Sequence, residues 1–241
     1  MNREEADFLI IGGGVAGLRA AIELSSHGSV IVVTKDVPTE GSTEYAQGGI
    51  AVAMSDEDEV GIHYEDTLRA GDGLCDEEAV KILVGEGPAR IMELIEWGAE
   101  FDTDGSRLAF SLEAAHSRKR ILHAHGDSTG RELQKVLIKK VRSLKSIKRY
   151  PFTMVMDLVI KDGVCIGAYV IKERIPTAIT AGAVILATGG TGQIFAVTTN
   201  PQVATADGMA IAYRAGAELT DMEFVQFHPT SLYLPSAPPD Y

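Results

Sequence analysis

Gly12-x-Gly14-x-x-Gly17 stands between an apolar run, Asp7-Phe8-Leu9-Ile10-Ile11, and a helix-like stretch from Val15 to Ser25. No other feature constrains the fold as strongly. The three-glycine pattern alone is weak, but a strand before it and a helix after it make it specific. The first glycine permits the tight turn, the second lets backbone approach phosphate, and the third lets the helix pack close on the strand. The helix N-terminus adds unpaired N–H groups and a partial positive charge. A dinucleotide pyrophosphate is therefore expected against Gly12, Gly13, Gly14, Val15, Ala16 and Gly17.

The next strand tells which dinucleotide. In nicotinamide sites an acid about twenty residues on holds a ribose hydroxyl. Here Val30-Ile31-Val32-Val33 runs into Thr34-Lys35-Asp36, so the strand end carries no acid and Lys35 brings a cation to the crevice. This argues against an ordinary NAD site and leaves a flavin dinucleotide or a site built mostly from backbone.

The chain has 241 residues, enough for one substantial core, and a formal charge of −12. That acidity excludes nucleic acid and anionic membrane as natural partners. Basic residues cluster locally at Arg118-Lys119-Arg120 and at Lys135, Lys139 and Lys140; the second group reads as a solvated helix face. Cys75 and Cys165 have no metal-like spacing and read as free thiols of a reducing compartment. His116, His123 and His125 do not repeat on one helical face, so no metal site is expected. No basic-then-apolar leader precedes the first strand and no apolar run approaches a membrane span, so the expected location is cytoplasmic.

Further along, Pro38 to Gly49 reads as a loop of small and polar residues. Asp76 is an N-cap for a helix presenting Ala79, Val80, Leu83 and Val84. Gly85, Gly87 and Pro88 should interrupt it, with a second helix following through Ile91, Met92, Leu94 and Ile95 to Gly98. Another helix opens at Asp127-Ser128-Thr129. Strands at Val155 to Ile160 and Val164 to Lys172 flank the hairpin signal Lys161-Asp162-Gly163. Ala183-Val184-Ile185-Leu186-Ala187 reads as a buried parallel strand ending in a second glycine-rich exit, Thr188-Gly189-Gly190. A helix from Thr205 to Ala217 and a strand through Glu223-Phe224-Val225-Gln226 complete the pattern.

The fold class is thus α/β: a Rossmann-like domain with a parallel sheet, helices on both sides and an inserted β-meander. Residues 1–228 are expected to form it, without a C-terminal closing segment. Pro235, Pro238 and Pro239 leave residues 229–241 as the start of a capping domain or a disordered tail, and an incomplete chain is expected.

Six segments, in order, resemble the flavoprotein family of succinate dehydrogenase, fumarate reductase and L-aspartate oxidase. They are Ile10 to Gly17, Ala46-Gln47-Gly48-Gly49, Ala187-Thr188-Gly189-Gly190, Thr198-Thr199-Asn200-Pro201, Asp207-Gly208, and Met222 through Phe227-His228-Pro229-Thr230. The resemblance implies FAD. It implies that Lys35 and the glycine turn meet the dinucleotide, and that Ser42, Thr43 and Ala46 to Gly49 run toward the isoalloxazine. It further implies that Ala187, Thr188 and Gly189 line the site, Asp207 reaches a flavin-side polyol, and Val155 supplies a backbone contact to adenine.

Two departures choose within the family. Respiratory members carry a flavin-linked histidine just before Ala-Gln-Gly-Gly; this chain has Ser42 there, which implies noncovalent FAD. Second, Leu112-Glu113-Ala114-Ala115-His116-Ser117-Arg118-Lys119-Arg120-Ile121-Leu122-His123-Ala124 is similar to the segment marking L-aspartate oxidases. In them Glu-Gly-Gly-His-Ser is usual; two alanines here make the loop less permissive. A carboxylate partner for a substrate ammonium is then implied at Glu113, and His228 is implied to face a substrate carboxylate.

The activity implied is FAD-dependent oxidation of L-aspartate to iminoaspartate, with oxygen or fumarate as acceptor. It is the first step of quinolinate and NAD biosynthesis, with quinolinate synthase as a functional partner. A fumarate reductase or succinate dehydrogenase flavoprotein subunit, or a non-catalytic flavin-binding module, is the alternative. The family's substrate arginines lie beyond Tyr241, so the isolated chain is expected to bind FAD weakly and turn over poorly.

Overall fold

The computed structural model describes residues 1–227. In chain order the first half comprises β1 (Asn2–Ile11), α1 (Val15–Leu24), β2 (Val30–Val33), β3 (Ile50–Ala51), α2 (Val60–Ala70) and α3 (Glu77–Glu96). The short strands β4 (Thr103–Asp104), β5 (Arg107–Leu108), β6 (Phe110–Ser111) and β7 (Ile121–Leu122) come next. After them lie α4 (Thr129–Ser143), β8 (Ile147–Tyr150), β9 (Thr153–Lys161), β10 (Val164–Lys172), β11 (Ile175–Leu186) and α5 (Asp207–Arg214).

A six-stranded sheet in the order β8-β2-β1-β11-β10-β9 organises the molecule. Its β8, β2, β1 and β11 run parallel; β10 and β9 continue antiparallel as the expected meander. The apolar runs of β1 and β2 feed both faces, as a doubly covered parallel sheet requires. On one face Ile10, Val30 and Val32 pack with Leu18, Ala21 and Ile22 of α1 and Leu137, Ile138 and Val141 of α4. On the other, Leu9, Ile11, Ile31 and Val33 meet Val155, Ala168 and Val170 of the meander and Ile211 of α5. Each such side chain contributes roughly 1.5–3 kcal/mol on burial, so the sheet centre is the rigid floor of the site. At the β9–β10 hairpin, Lys161 pairs with Val164 and both loop residues are left-handed, Asp162 at φ 52° and Gly163 at φ 77°. That is the backbone an Asp-Gly hairpin favours.

Several expectations are corrected. The segment around Pro88 does not break: α3 is one helix of 20 residues with Pro88 inside it, capped by Asp76, which accepts from the Ala79 N–H at 3.0 Å. Its buried residues Val80, Val84 and Ile91 form one stripe on both sides of the proline. Burial of that stripe outweighs the hydrogen bond Pro88 cannot donate. Leu83, expected on the inner face, is exposed. The last helix spans Asp207–Arg214 instead of Thr205 to Ala217. Glu223 to Gln226 form no strand: the segment has no ladder partner among the described residues, and Phe224 is exposed. The Ala183–Leu186 stretch is a parallel strand as expected, yet only half-buried, with Leu186 39% exposed. Among the described residues, no helix is long and apolar enough to cross a membrane.

Candidate functional site

The carboxyl ends of β1, β2 and β11 open onto a cleft whose walls are largely backbone. It is lined by the Gly12–Gly14 turn, Thr34 and Lys35 after β2, Ser42 and Thr43, Val155, Ala187 to Gly190, and Asp207. Position comes from register: Ile11 pairs with both Val33 and Leu186, so three strands end level and their exits converge. This is where open α/β sheets bind ligands.

Gly12 is held directly against backbone. Its φ is 118°, and a Cβ there would lie 2.0 Å from the Ala187 carbonyl oxygen. A Cβ on Gly17 would meet the Gly12 carbonyl at the same 2.0 Å, so the third glycine serves helix packing beneath the turn. The N-cap residue of α1, Gly14, has no side chain to satisfy the first turn. One donor is covered from afar, since Thr43 Oγ1 accepts from the Val15 N–H at 3.1 Å. A cleft of glycine backbone facing an otherwise uncapped helix start fits a pyrophosphate.

Across the cleft Lys35 Nζ contacts Asp207 Oδ2 and Thr205 Oγ1, each at 2.5 Å. Sequence reasoning placed Lys35 and Asp207 in the site separately; the fold joins them into a half-buried ion pair, with Thr205 as a third member. Val155 also reaches the lining. Val15, Ala16, Ala46, Gln47 and Gly48 lie outside this cleft on exposed backbone, and Gly17 is buried beneath it. His228 lies outside the described residues.

The Ala46–Gly49 motif leads instead into a small sheet, β3-β7-β6. Gly49 abuts Ile121, Leu122 and the His123 ring. Glu113 sits on the exposed loop between β6 and β7, its Oε1 3.2 Å from His123 Nε2, which also lies 3.1 Å from Ser111 Oγ. The small sheet thus gathers two of the sequence motifs, Ala46–Gly49 and the segment around Glu113, in one place.

Two buried groups were missed. Gln134 of α4 is 2% exposed, and its Nε2 donates to both the Gly13 carbonyl (2.9 Å) and the Pro38 carbonyl (2.8 Å). The signal was present, for Gln134 lies on the same helical face as Leu137, Ile138 and Val141. Arg120, read as part of a basic cluster, is fully buried. It forks onto Asp58 and reaches Asp66 Oδ2 at 2.9 Å. Burial alone would raise the Asp66 carboxyl, but the Ser117 N–H and hydroxyl and the Arg120 guanidinium bring it down to about 2. Burial, the Arg120 charge and His116 hold the neighbouring His63 imidazole below its ordinary value.

Glu100, His125 and Glu132 bring ligand-type atoms within 4.8 Å of one another. Glu132 is nevertheless engaged by Lys135 Nζ at 2.9 Å and by the Glu100 N–H at 3.2 Å. Cys75 and Cys165 are free thiols.

Comparison with known proteins matches this geometry. The family model described as FAD binding domain covers residues 7–238. L-Aspartate oxidase of Synechocystis sp. is 45% identical over 99% of this chain and 43% of its own length. That of Streptomyces coelicolor is 48% identical over 96% and 41%, and the chloroplastic enzyme of Arabidopsis thaliana 47% over 94% and 36%. Among solved structures, E. coli quinol fumarate reductase FrdA superposes with a TM-score of 0.91 at 31% identity, over 96% of this chain and 40% of that one. Mycobacterium smegmatis Sdh1 gives 0.92 at 34%, over 98% and 42%. The chain belongs to the FAD-binding domain family, and its cofactor is FAD. It spans about two fifths of the length of the curated relatives it matches.

Proposed function

We propose that this chain is the FAD-binding part of an L-aspartate oxidase, converting L-aspartate to iminoaspartate. The observation that carries the reading is the 43–48% identity, across nearly the whole chain, to relatives named L-aspartate oxidase. Ser42 in the cleft lining supports it from the structure, because a hydroxyl cannot form a histidyl–flavin bond and the FAD is then noncovalent. FAD, when bound, supplies the acceptor for the hydride leaving the aspartate α-carbon, and oxygen or fumarate takes the electron pair afterwards.

The chain's own groups bind and orient. The glycine turn and the start of α1 would hold the pyrophosphate, Ala187, Thr188 and Gly189 would line the site with them, and Val155 would supply a backbone contact to the adenine. Lys35 would meet the dinucleotide, and Asp207 would reach the flavin-side polyol. Ser42 and Thr43, with Ala46 to Gly49 after them, form the path toward the ring. Glu113 receives the substrate ammonium as a charge-assisted hydrogen bond, the contact a plain dicarboxylate does not need. His228 faces a substrate carboxylate. Residues 1–228 are assigned to the flavin domain, and residues 229–241, outside the described residues, to the start of a capping domain or a tail. The protein acts in the cytoplasm at the first step of quinolinate formation, with quinolinate synthase consuming its product.

Acid precipitation and anaerobic reduction test the reading together. In the full-length, FAD-loaded protein, flavin should leave with the supernatant, and L-aspartate, but not succinate, should bleach the bound flavin. Flavin retained in the pellet, or preferential bleaching by succinate, would overturn the assignment in favour of a respiratory flavoprotein.

A further inference from the structure

Beneath the exposed Glu113 loop lies a charged network that the flavin cleft does not use. Arg120 Nε and Nη2 each meet Asp58 at 2.8 Å, and Nη1 meets Asp66 at 2.9 Å. The three side chains, Arg120, Asp58 and Asp66, are 0%, 0% and 2% exposed. Two carboxylates share one buried guanidinium, and the exposed Arg69 approaches Asp66 Oδ1 from outside at 3.6 Å. Asp66 Oδ2 also accepts from the Ser117 N–H at 2.8 Å and the Ser117 hydroxyl at 2.7 Å. His116 Nδ1 lies 3.4 Å from Arg120, and its ring stands edge-on to His63 of α2. Apart from the His116–Arg120 contact, which lies within the stretch 116–120, these contacts join α2 or the segment before it to that stretch.

Such a cluster is a poor way to gain stability, since buried ion pairs are often matched or bettered by apolar replacements; their best-attested use is to specify one arrangement. The arrangement at stake here is a strained one. Ala115, two residues from Glu113, is held at φ 66°, a left-handed backbone that an alanine adopts only when its surroundings impose it. Loop strand ends are fixed too, by Arg120 N–H to Ser111 O at 3.1 Å and Val52 N–H to Arg120 O at 2.9 Å.

We propose that the Asp58–Arg120–Asp66 network is a latch that positions the Glu113–Ser117 loop and thereby sets the preference for an amino dicarboxylate over a plain one. Asp66 and Arg120 are positioning residues in this scheme. They touch neither substrate nor flavin, and they act through Ser117 and Ala115 on the placement of the Glu113 carboxylate. The inference rests on the proposed role of Glu113, and the experiment separates the two.

In the full-length, FAD-loaded protein, Asp66→Asn should leave flavin affinity within about twofold, because Asp66 is not in the cleft lining. It should raise the KM for L-aspartate by about tenfold or more while changing the inhibition constant of succinate less than about threefold. Ser117→Ala, which removes one bond and leaves the ion pairs, should give the same selectivity change in smaller measure. Asp66→Asn combined with Glu113→Gln should be no worse for aspartate than Glu113→Gln alone, as expected of residues acting through one contact. Equal losses for aspartate and succinate, or an additive double variant, would overturn the latch. Hydrogen exchange at residues 112–118 gives a second readout, independent of substrate. Exchange there should quicken in both single network variants, and unchanged protection would also overturn the latch. If Glu113→Gln alone leaves aspartate preference intact, the proposed role of Glu113 fails, and the exchange result still decides whether the network holds the loop.

Discussion

At the residue scale, Gly12 carries the heaviest demand. A methyl there meets the Ala187 carbonyl at 2.0 Å, and the backbone angle of 118° is one that alanine adopts only under strain. Overpacking and strain each cost roughly 1–3 kcal/mol, so Gly12→Ala should lose about 3 kcal/mol. Its FAD binding should fall with it, since the displaced turn is the cleft wall. Gly48→Ala is the matched control: its Cβ would meet nothing within 4 Å, and exposed substitutions of that kind stay within about 0.5 kcal/mol. Urea unfolding of the two variants checks this through the midpoint at constant slope. Comparable midpoints would mean that the β1–β11 exit is more compliant than its contacts imply. The contrast also explains why the glycine motif was readable. Its residues obey steric rules that are local in sequence, whereas the partner that enforces them, Ala187, is local only in space.

Between elements, Gln134 does the corresponding work. One amide nitrogen on α4 holds the glycine turn at Gly13 and the loop after β2 at Pro38, so the width of the cleft mouth depends on it. Gln134→Leu leaves two half-buried carbonyls without their donor, at about 1 kcal/mol each, and should weaken FAD by about tenfold. Gln134→Glu should be worse near neutral pH than in mild acid, because only the protonated carboxyl can donate to a carbonyl. A flavin titration at two pH values decides it; no pH difference for the Glu variant would show that the amide is not the donor. How elements were read, or missed, turns on the same point. The β1–α1–β2 unit, the β9–β10 hairpin and the Asp76 cap announce themselves through apolar periodicity, turn residues and capping chemistry. Helix α2 did not, because its buried residues are His63 and Asp66. Its inward face is polar, and hydrophobic periodicity has nothing there to register. Helix α3 was divided at Pro88 because the local penalty was visible and the stripe of Val80, Val84 and Ile91 that overrides it gains its energy from packing. The Lys35–Asp207 pair, spanning 172 residues, could be anticipated only as two separate members of a site.

For the molecule as a whole, the glycine-walled cleft and the Glu113 loop are built on different physics, and acid should separate them. The flavin cleft stands on an apolar floor of Leu9, Ile10, Ile31 and Val33, which carries no titrating group. The Glu113 loop stands on Arg120, Asp58 and Asp66. The Asp66 carboxyl is lowered from an ordinary 3.8 to about 2. A folded-state value below the unfolded one means that the unfolded chain binds the proton more readily in acid. The stabilisation is therefore fully present above about pH 4 and is lost as pH falls through about 2. At 1.36 kcal/mol per unit this amounts to about 2 kcal/mol. Glu4 and Glu132 are also held below their ordinary value, against the opposing effect of burial, Glu4 by Lys172 and Tyr150 and Glu132 by Lys135 and the Glu100 N–H. The whole protein should thus lose stability in acid, with Asp66 one of several contributors. Asp66→Asn cannot take up that proton, so its stability should fall less steeply than wild type between about pH 4 and pH 2 while starting lower near neutral pH, where Arg120 has lost one of its partners. Urea midpoints at several pH values measure the slope, and hydrogen exchange locates it. Near pH 3, amides of residues 112–118 should open before those of β1 and β2, so that flavin binding outlasts the ordered Glu113 loop. Simultaneous opening of both regions would show that the sheet and the loop share one cooperative unit and that the charged network contributes to the stability of the entire domain.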